Sequence, residues 1–178
     1  MPTFAVDIAP PKVNESVDYR DVGGATEDQL VASLKSVAQA DEKGHRFAGD
    51  THWQLRWDFH VESSGDECRV ASVSTEVDIH TTLIRWNPPL SAKPALIKRW
   101  NTFAAALRKH EDGHRDIAVA AAREVGDRVG KVPPASDCAK LKQALQQTAD
   151  GVVRDYRDKE SRYDTTTMHG RAQGATFP

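Results

Sequence analysis

The chain has 178 residues, 39% of them hydrophobic and 28% charged, with 24 Lys+Arg against 26 Asp+Glu and a net charge of −2. That length and balance fit one soluble globular domain and exclude a disordered chain. They argue against a protein whose main task is gripping nucleic acid or an anionic membrane, which needs a strong positive field. No apolar run approaches the roughly 18 residues of a membrane-spanning helix.

Residues 1–12 hold Pro2, Pro10 and Pro11 and read as an extended leader, with 13–178 as a single domain. The stretch MPTFAVDIAPP has neither the basic nor the apolar region of a signal peptide, so any export signal is expected outside this sequence. Residues 13–22 alternate, with Val13, Val17 and Tyr19 on one face, and predict a strand. Thr26 and Gln29 have the spacing of a capping box. Leu30, Val31, Leu34, Val37 and Ala38 then form an apolar stripe, predicting a helix of about 14 residues closed by Lys43-Gly44.

Residues 52–62 alternate without a slip, with Trp53, Leu55, Trp57, Phe59 and Val61 on one side. After Ser63-Ser64-Gly65-Asp66, residues 68–86 alternate again, so an antiparallel hairpin is expected. From Pro94 the period changes. Leu96, Trp100, Phe103, Leu107, His110, His114, Ile117, Ala121 and Val125 recur at steps of three and four, the face of a long helix that Pro133-Pro134 ends. Ser136 or Asp137 can cap a third helix through Leu141, Leu145, Val152 and Tyr156. After Glu160 the pattern fails, and the threonines and glycines there read as loop and tail. Trp53, Trp57 and Trp100 fall on core-facing stripes; Trp86, beside Pro88-Pro89, is the candidate for exposure. Cys68 and Cys138 are two free thiols in a reducing compartment or one disulfide in an oxidising one.

The long helix carries His110-Glu111-Asp112-Gly113-His114, an H-E-x-x-H string. Histidines four apart lie on one helix face, so both imidazoles can reach one metal ion. Glu111 points to the side, where it can hold a water without occupying the metal. Chance gives such a string in about 1% of chains of this composition, so context decides. Here both histidines fall in the apolar stripe, where an imidazole must be hydrogen-bonded or ligated. Asp112 and Arg115 read as solvated, and Gly113 as room for close approach. A third protein ligand is expected for zinc. The remaining histidines are His45, His52, His60, His80 and His169, of which His60 and His80 sit on the polar face of the hairpin and read as solvated or paired across strands. His169, in the tail, is favoured over a carboxylate such as Glu160 or Asp164.

HEDGH on a helix, the placement of Cys68 and Cys138, the tryptophan-rich strand and the tail Tyr163-Asp164-x-x-Thr167-x-His169-Gly170 together resemble the DUF922 family. These bacterial proteins are described as secreted zinc-dependent proteases. The resemblance runs from about residue 13 to 170. It implies that His169 is the third zinc ligand, that Cys68 and Cys138 form a disulfide, and that the protein works in the cell envelope or outside it.

The expected fold is α+β and zincin-like: a small antiparallel sheet on the long helix, with further helices. The expected activity is hydrolysis of a protein or peptide substrate, with one zinc ion held by His110, His114 and His169. Glu111 is the general base, Tyr163 a donor to the oxyanion, and Asp164 an orienter of a ligand imidazole. No nucleic acid and no membrane insertion is expected. The rival expectations are a zinc-binding structural or binding protein without hydrolysis, and a zinc amidase acting on cell-wall peptide.

Overall fold

The computed structural model describes residues 5–40 and 46–178. Its elements in chain order are β1 (Asp7–Ile8), β2 (Lys12–Val22), α1 (Glu27–Val37), β3 (Gln39–Ala40), β4 (Arg46–Phe47), β5 (Asp50–Ser64), β6 (Glu67–Trp86), α2 (Pro94–Val129), α3 (Cys138–Thr167) and a single 3-10 turn at Arg171–Gln173. The protein is α+β, with three α-helices and a small four-stranded sheet among the described residues. His45 and the helix end expected at Lys43-Gly44 lie outside the described residues.

β6 is the spine of the sheet, pairing with β1, β2 and β5. β5 meets it across the two-residue turn Gly65-Asp66. The sheet is not the purely antiparallel one expected from the alternation. β1 runs parallel to β6, with Asp7 opposite Ser72 and Ile8 opposite Val73. Parallel pairing needs a long connection, and the chain between β1 and β6 supplies one. Asp7 and Ile8, within the stretch expected to be a leader, therefore belong to the sheet. The β2 residues Val13, Val17 and Tyr19, expected on one face, are exposed. Gln39–Ala40 and Arg46–Phe47 form a separate antiparallel pair.

The chain divides into two compact units, and β5, β6, α2 and α3 each contribute to both. The first unit comprises residues up to Asn14, Trp53–Ile79 and Asp116–Lys159. Leu141, Leu145, Ala149 and Val152, one face of α3, pack there with Val70, Val73, Val125 and Val129. Ala118, Ala121 and Ala122 pack with Trp53, Val77 and Ile79, the small side chains letting helix and strand approach closely. Arg157 lies 3.4 Å over the Trp53 ring and donates to its carbonyl at 2.7 Å. Asp137, not Ser136, caps α3, accepting from the Ala139 and Lys140 amides. Cys68 and Cys138 form a disulfide, and a backbone bridge from Cys68 to Ala135 lies beside it.

The second unit comprises Glu15–His52, His80–Arg115 and Glu160–Pro178. Its core is Val22, Leu30, Leu83, Ile84, Trp86, Ala92, Leu96, Trp100, Phe103 and Leu107. Phe177 stacks edge-on against Trp100 and lies 5.6 Å from Phe103. The capping box is present: Thr26 accepts from the Gln29 amide while the Gln29 side chain reaches back to the Thr26 amide. α1 is shorter than expected, because Ala38 already turns extended. Trp86 is not exposed. It is 6% accessible, and its indole N–H reaches the Gly24 carbonyl at 3.1 Å, which satisfies the polar end of a buried ring.

The largest departure concerns residues after Glu160. They are not loop. α3 continues to Thr167. Threonine is a poor helix former, but the hydroxyls of Thr165 and Thr167 bond back to the carbonyls of Ser161 and Tyr163 at 2.9 and 2.8 Å. The helix then stops in a left-handed turn, with φ of 51° at Met168, 51° at His169 and 82° at Gly170. The His169 amide bonds back to the Asp164 carbonyl at 2.9 Å.

Candidate metal centre

The residues of the cluster and its immediate surroundings lie within the second unit. His110 and His114, one helical turn apart on α2, turn their rings nearly perpendicular, with centroids 4.9 Å apart. From α3 come Glu160, Tyr163, Asp164 and Thr167, spaced as one helix face. Asp164 Oδ1 lies 3.0 Å from His114 Nε2 and 3.2 Å from His110 Nε2, and the two Nε2 atoms are 3.4 Å apart. Each of the three residues thus offers one ligand atom to a common point. Ligand atoms about 2.0–2.1 Å from a tetrahedral zinc lie roughly 3.3 Å from one another. The donor set and its spacing fit such an ion.

His110 is hydrogen-bonded from behind, and His114 has a carboxylate behind it at ion-pair distance. Gln173 Oε1 lies 3.0 Å from His110 Nδ1, and Glu160 Oε1 lies 3.4 Å from His114 Nδ1. The Tyr163 ring stacks on His110 at 5.1 Å and meets His114 edge-on at the same distance. Gly113 makes that position available: a Cβ there would fall 2.1 Å from Tyr163 Oη. The room expected at Gly113 is thus filled by Tyr163. The Tyr163 hydroxyl, expected as an oxyanion donor, gives its proton to the His110 carbonyl at 3.1 Å.

Glu111 is on the sheet side of α2 and is 3% exposed. Its Oε2 accepts from the Thr51 hydroxyl at 2.8 Å, and Thr51 in turn contacts Thr81 at 3.2 Å. Gly49 leaves the space that Oε1 occupies, since a Cβ there would lie 2.6 Å away. Burial raises the Glu111 pKa above the usual carboxylate range, against the opposing pull of the Thr51 hydrogen bond and the two histidines.

His169, expected as a ligand, brings Nδ1 to 3.5 Å from Asp164 Oδ1 and has a half-exposed side chain. Asp164 and His169 form the open side of the cluster, their side chains 27% and 48% accessible, whereas His110, Glu111 and His114 are buried. Asp112 pairs with Arg108, and Arg115 with Glu15, at the surface. His80, expected as solvated or paired across strands, meets Ser16 at 2.9 Å. Thr51, Gly49 and Gln173 left no mark in the sequence. Glu160, Tyr163, Asp164 and Thr167 did, because their spacing is that of a helix face.

Electrostatics favour a cation. Burial opposes charge on His114, but the hydrogen bond to Asp164, the Glu160 carboxylate 3.4 Å from Nδ1 and the charges of Asp164 and Glu111 outweigh it and push its pKa up to about 10. Burial likewise opposes charge on Asp164, yet His110, His114 and the charge of His169 hold its carboxyl well below the usual range. Without metal at neutral pH, His114 therefore carries a proton beside an ionised Asp164. A metal needs the lone pair that this proton occupies. Metal binding at pH 7 is expected to release about one proton, and affinity to rise about tenfold per pH unit until His114 deprotonates unaided. Calorimetry in buffers of different ionisation heat checks the proton count. Affinity that is flat between pH 6 and 8 would contradict it.

The family model described as "Bacterial protein of unknown function (DUF922)" matches residues 17–170. The chain belongs to the DUF922 family. No curated protein matches it, and no solved structure does. The matched stretch includes HEDGH, both cysteines, and Glu160 to Gly170. No helix among the described residues of this DUF922 protein is long and apolar enough to cross a membrane.

Proposed function

We propose that the protein is a zinc-dependent hydrolase of peptide bonds, with His110, His114 and Asp164 as metal ligands and Glu111 as general base. The observation that carries this reading is the convergence of three donor atoms at the mutual spacing of a tetrahedral shell, one residue away from a buried carboxyl. Asp164 takes the third place that the family resemblance gives to His169. When bound, zinc supplies a Lewis acid that polarises a carbonyl and acidifies water. Glu111, its pKa raised by burial, accepts a proton from the attacking water and returns it to the leaving amine. The Thr51 hydroxyl fixes the orientation of that carboxylate. Tyr163 could serve an oxyanion only by releasing the His110 carbonyl. His169, on the open side, faces an arriving substrate. The disulfide supports work in an oxidising place, secreted or periplasmic.

One observation favours a non-hydrolytic zinc protein instead: His110, Glu111 and His114 are each 6% exposed or less, and structural zinc sites are closed. Replacing Glu111 with Gln decides between the two. Elemental analysis should find about one zinc per chain in both proteins. Cleavage of a broad peptide and cell-wall panel should fall about 10²–10⁴-fold in the variant. A zinc-loaded native protein that cleaves nothing makes the site structural. Cleavage confined to cell-wall peptide makes the enzyme an amidase. A native protein without zinc ends the metal reading.

A further inference from the structure

Gln173 lies beyond the residues that the family model matches, yet its side chain touches the cluster twice. Oε1 is 3.0 Å from His110 Nδ1, and Nε2 is 3.1 Å from Tyr163 Oη. The polarity of this chain of hydrogen bonds is settled at one end. The His110 carbonyl can only accept, so the Tyr163 hydroxyl donates to it at 3.1 Å. Having spent its one proton, the Tyr163 oxygen must accept from Gln173, which therefore presents its NH₂ to Tyr163 and its carbonyl oxygen to His110. A carbonyl facing Nδ1 requires that Nδ1 carry the hydrogen.

Thr167 gives the same answer independently. Its hydroxyl donates to the Tyr163 carbonyl at 2.8 Å, which leaves only a lone pair for His110 Nδ1 at 3.4 Å. With Nδ1 so committed, Nε2, the nitrogen that faces Asp164 and His114, is the one left to bind a metal.

Gln173 is itself anchored. Its amide bonds to the Gly170 carbonyl at 2.9 Å, and Ala175 and Phe177 pack into the apolar core around Trp100 and Phe103. We infer that Gln173 is a positioning residue: through a closed ring of hydrogen bonds with Tyr163 and the His110 backbone, it fixes the tautomer that aims the lone pair of His110 at the metal. Its oxygen also raises the basicity of that ligand, as acceptors behind metal-bound histidines do.

The inference rests on the metal reading of His110, and its test separates the two. Zinc affinity of the full chain is measured by competition with a chromogenic chelator for the native protein, Gln173→Leu and Gln173→Glu. Nitrogen NMR of the metal-free chain reports the His110 tautomer. The leucine variant should bind zinc about 10–100-fold more weakly and hold the Nδ1–H tautomer less firmly, with only the more distant Thr167 hydroxyl left as acceptor. The glutamate variant, whose carboxylate still accepts from Nδ1–H, should keep that tautomer and bind within a few-fold of the native protein. Equal losses in both variants would make the role merely structural and overturn the inference, as would native behaviour of the leucine variant. A native chain that takes up no zinc but shows the Nδ1–H tautomer, dependent on Gln173, would sink the metal reading and leave the positioning role standing.

Discussion

Asp164→Ala is expected to strip the protein of tightly held zinc, whereas His169→Ala should leave the load close to one ion per chain. Asp164 contributes an oxygen 3.0 and 3.2 Å from the two histidine nitrogens, and these atoms define the common point. His169 approaches that oxygen from the open side. Since changes behind the ligands already cost about 10–100-fold in affinity, loss of a ligand should cost more than about 100-fold. The aspartate's removal also takes the main hydrogen-bond partner from the charged form of His114. The pH dependence of whatever binding remains should therefore weaken as well. Elemental analysis of purified variants, followed by chelator competition, reads both effects. A zinc load lost with His169 and kept without Asp164 would return the third place to the histidine.

The second large effect is on stability. The Cys68–Cys138 bond closes a loop of 70 residues and fixes the first residue of α3 to β6. Cross-linking across such a span constrains the unfolded chain by about 4 kcal/mol on chain-entropy arguments. For a chain of this size that corresponds to a melting temperature lower by roughly 8–16 °C in the Cys68→Ser, Cys138→Ser double variant. The paired backbone hydrogen bonds of Cys68 with Ala135 hold the same corner and should keep the variant folded at room temperature. A melting curve unchanged by both substitutions would mean that this corner contributes nothing to cooperativity.

Elements with a long, regular period were legible in the sequence. The α2 stripe, the alternation of β5 and β6 and the capping box at Thr26 all appear where the pattern put them. The H-E-x-x-H pair was legible for the same reason: its spacing is a helix property and needs no knowledge of the rest of the fold. What escaped depended on partners distant in sequence. β1 is two residues long and exists because β6 accepts it. Trp86 sits next to two prolines, which suggested a surface, but the Gly24 carbonyl receives its N–H inside the core. The sequence favours His169 as third ligand and ends α3 at Glu160, where apolar residues run out; the structure instead groups Asp164 with the two histidines. In a loop, position alone does not separate Asp164 from His169, the residue favoured on sequence. On a helix that reaches Thr167, Asp164 shares a face with Glu160, Tyr163 and Thr167, and that face meets the histidines. Polar residues at helical spacing opposite a metal motif are thus a signal in their own right.

The cluster draws its donors from positions fifty residues apart in the chain, His114 on α2 and Asp164 near the end of α3. The unfolded polypeptide has no such assembly to offer. A cation that seats there consequently drives the folding equilibrium by mass action, adding about 2.7 kcal/mol when its free concentration is a hundred times its dissociation constant. How much native protein survives heat or proteolysis is then set partly by the metal supply of its surroundings.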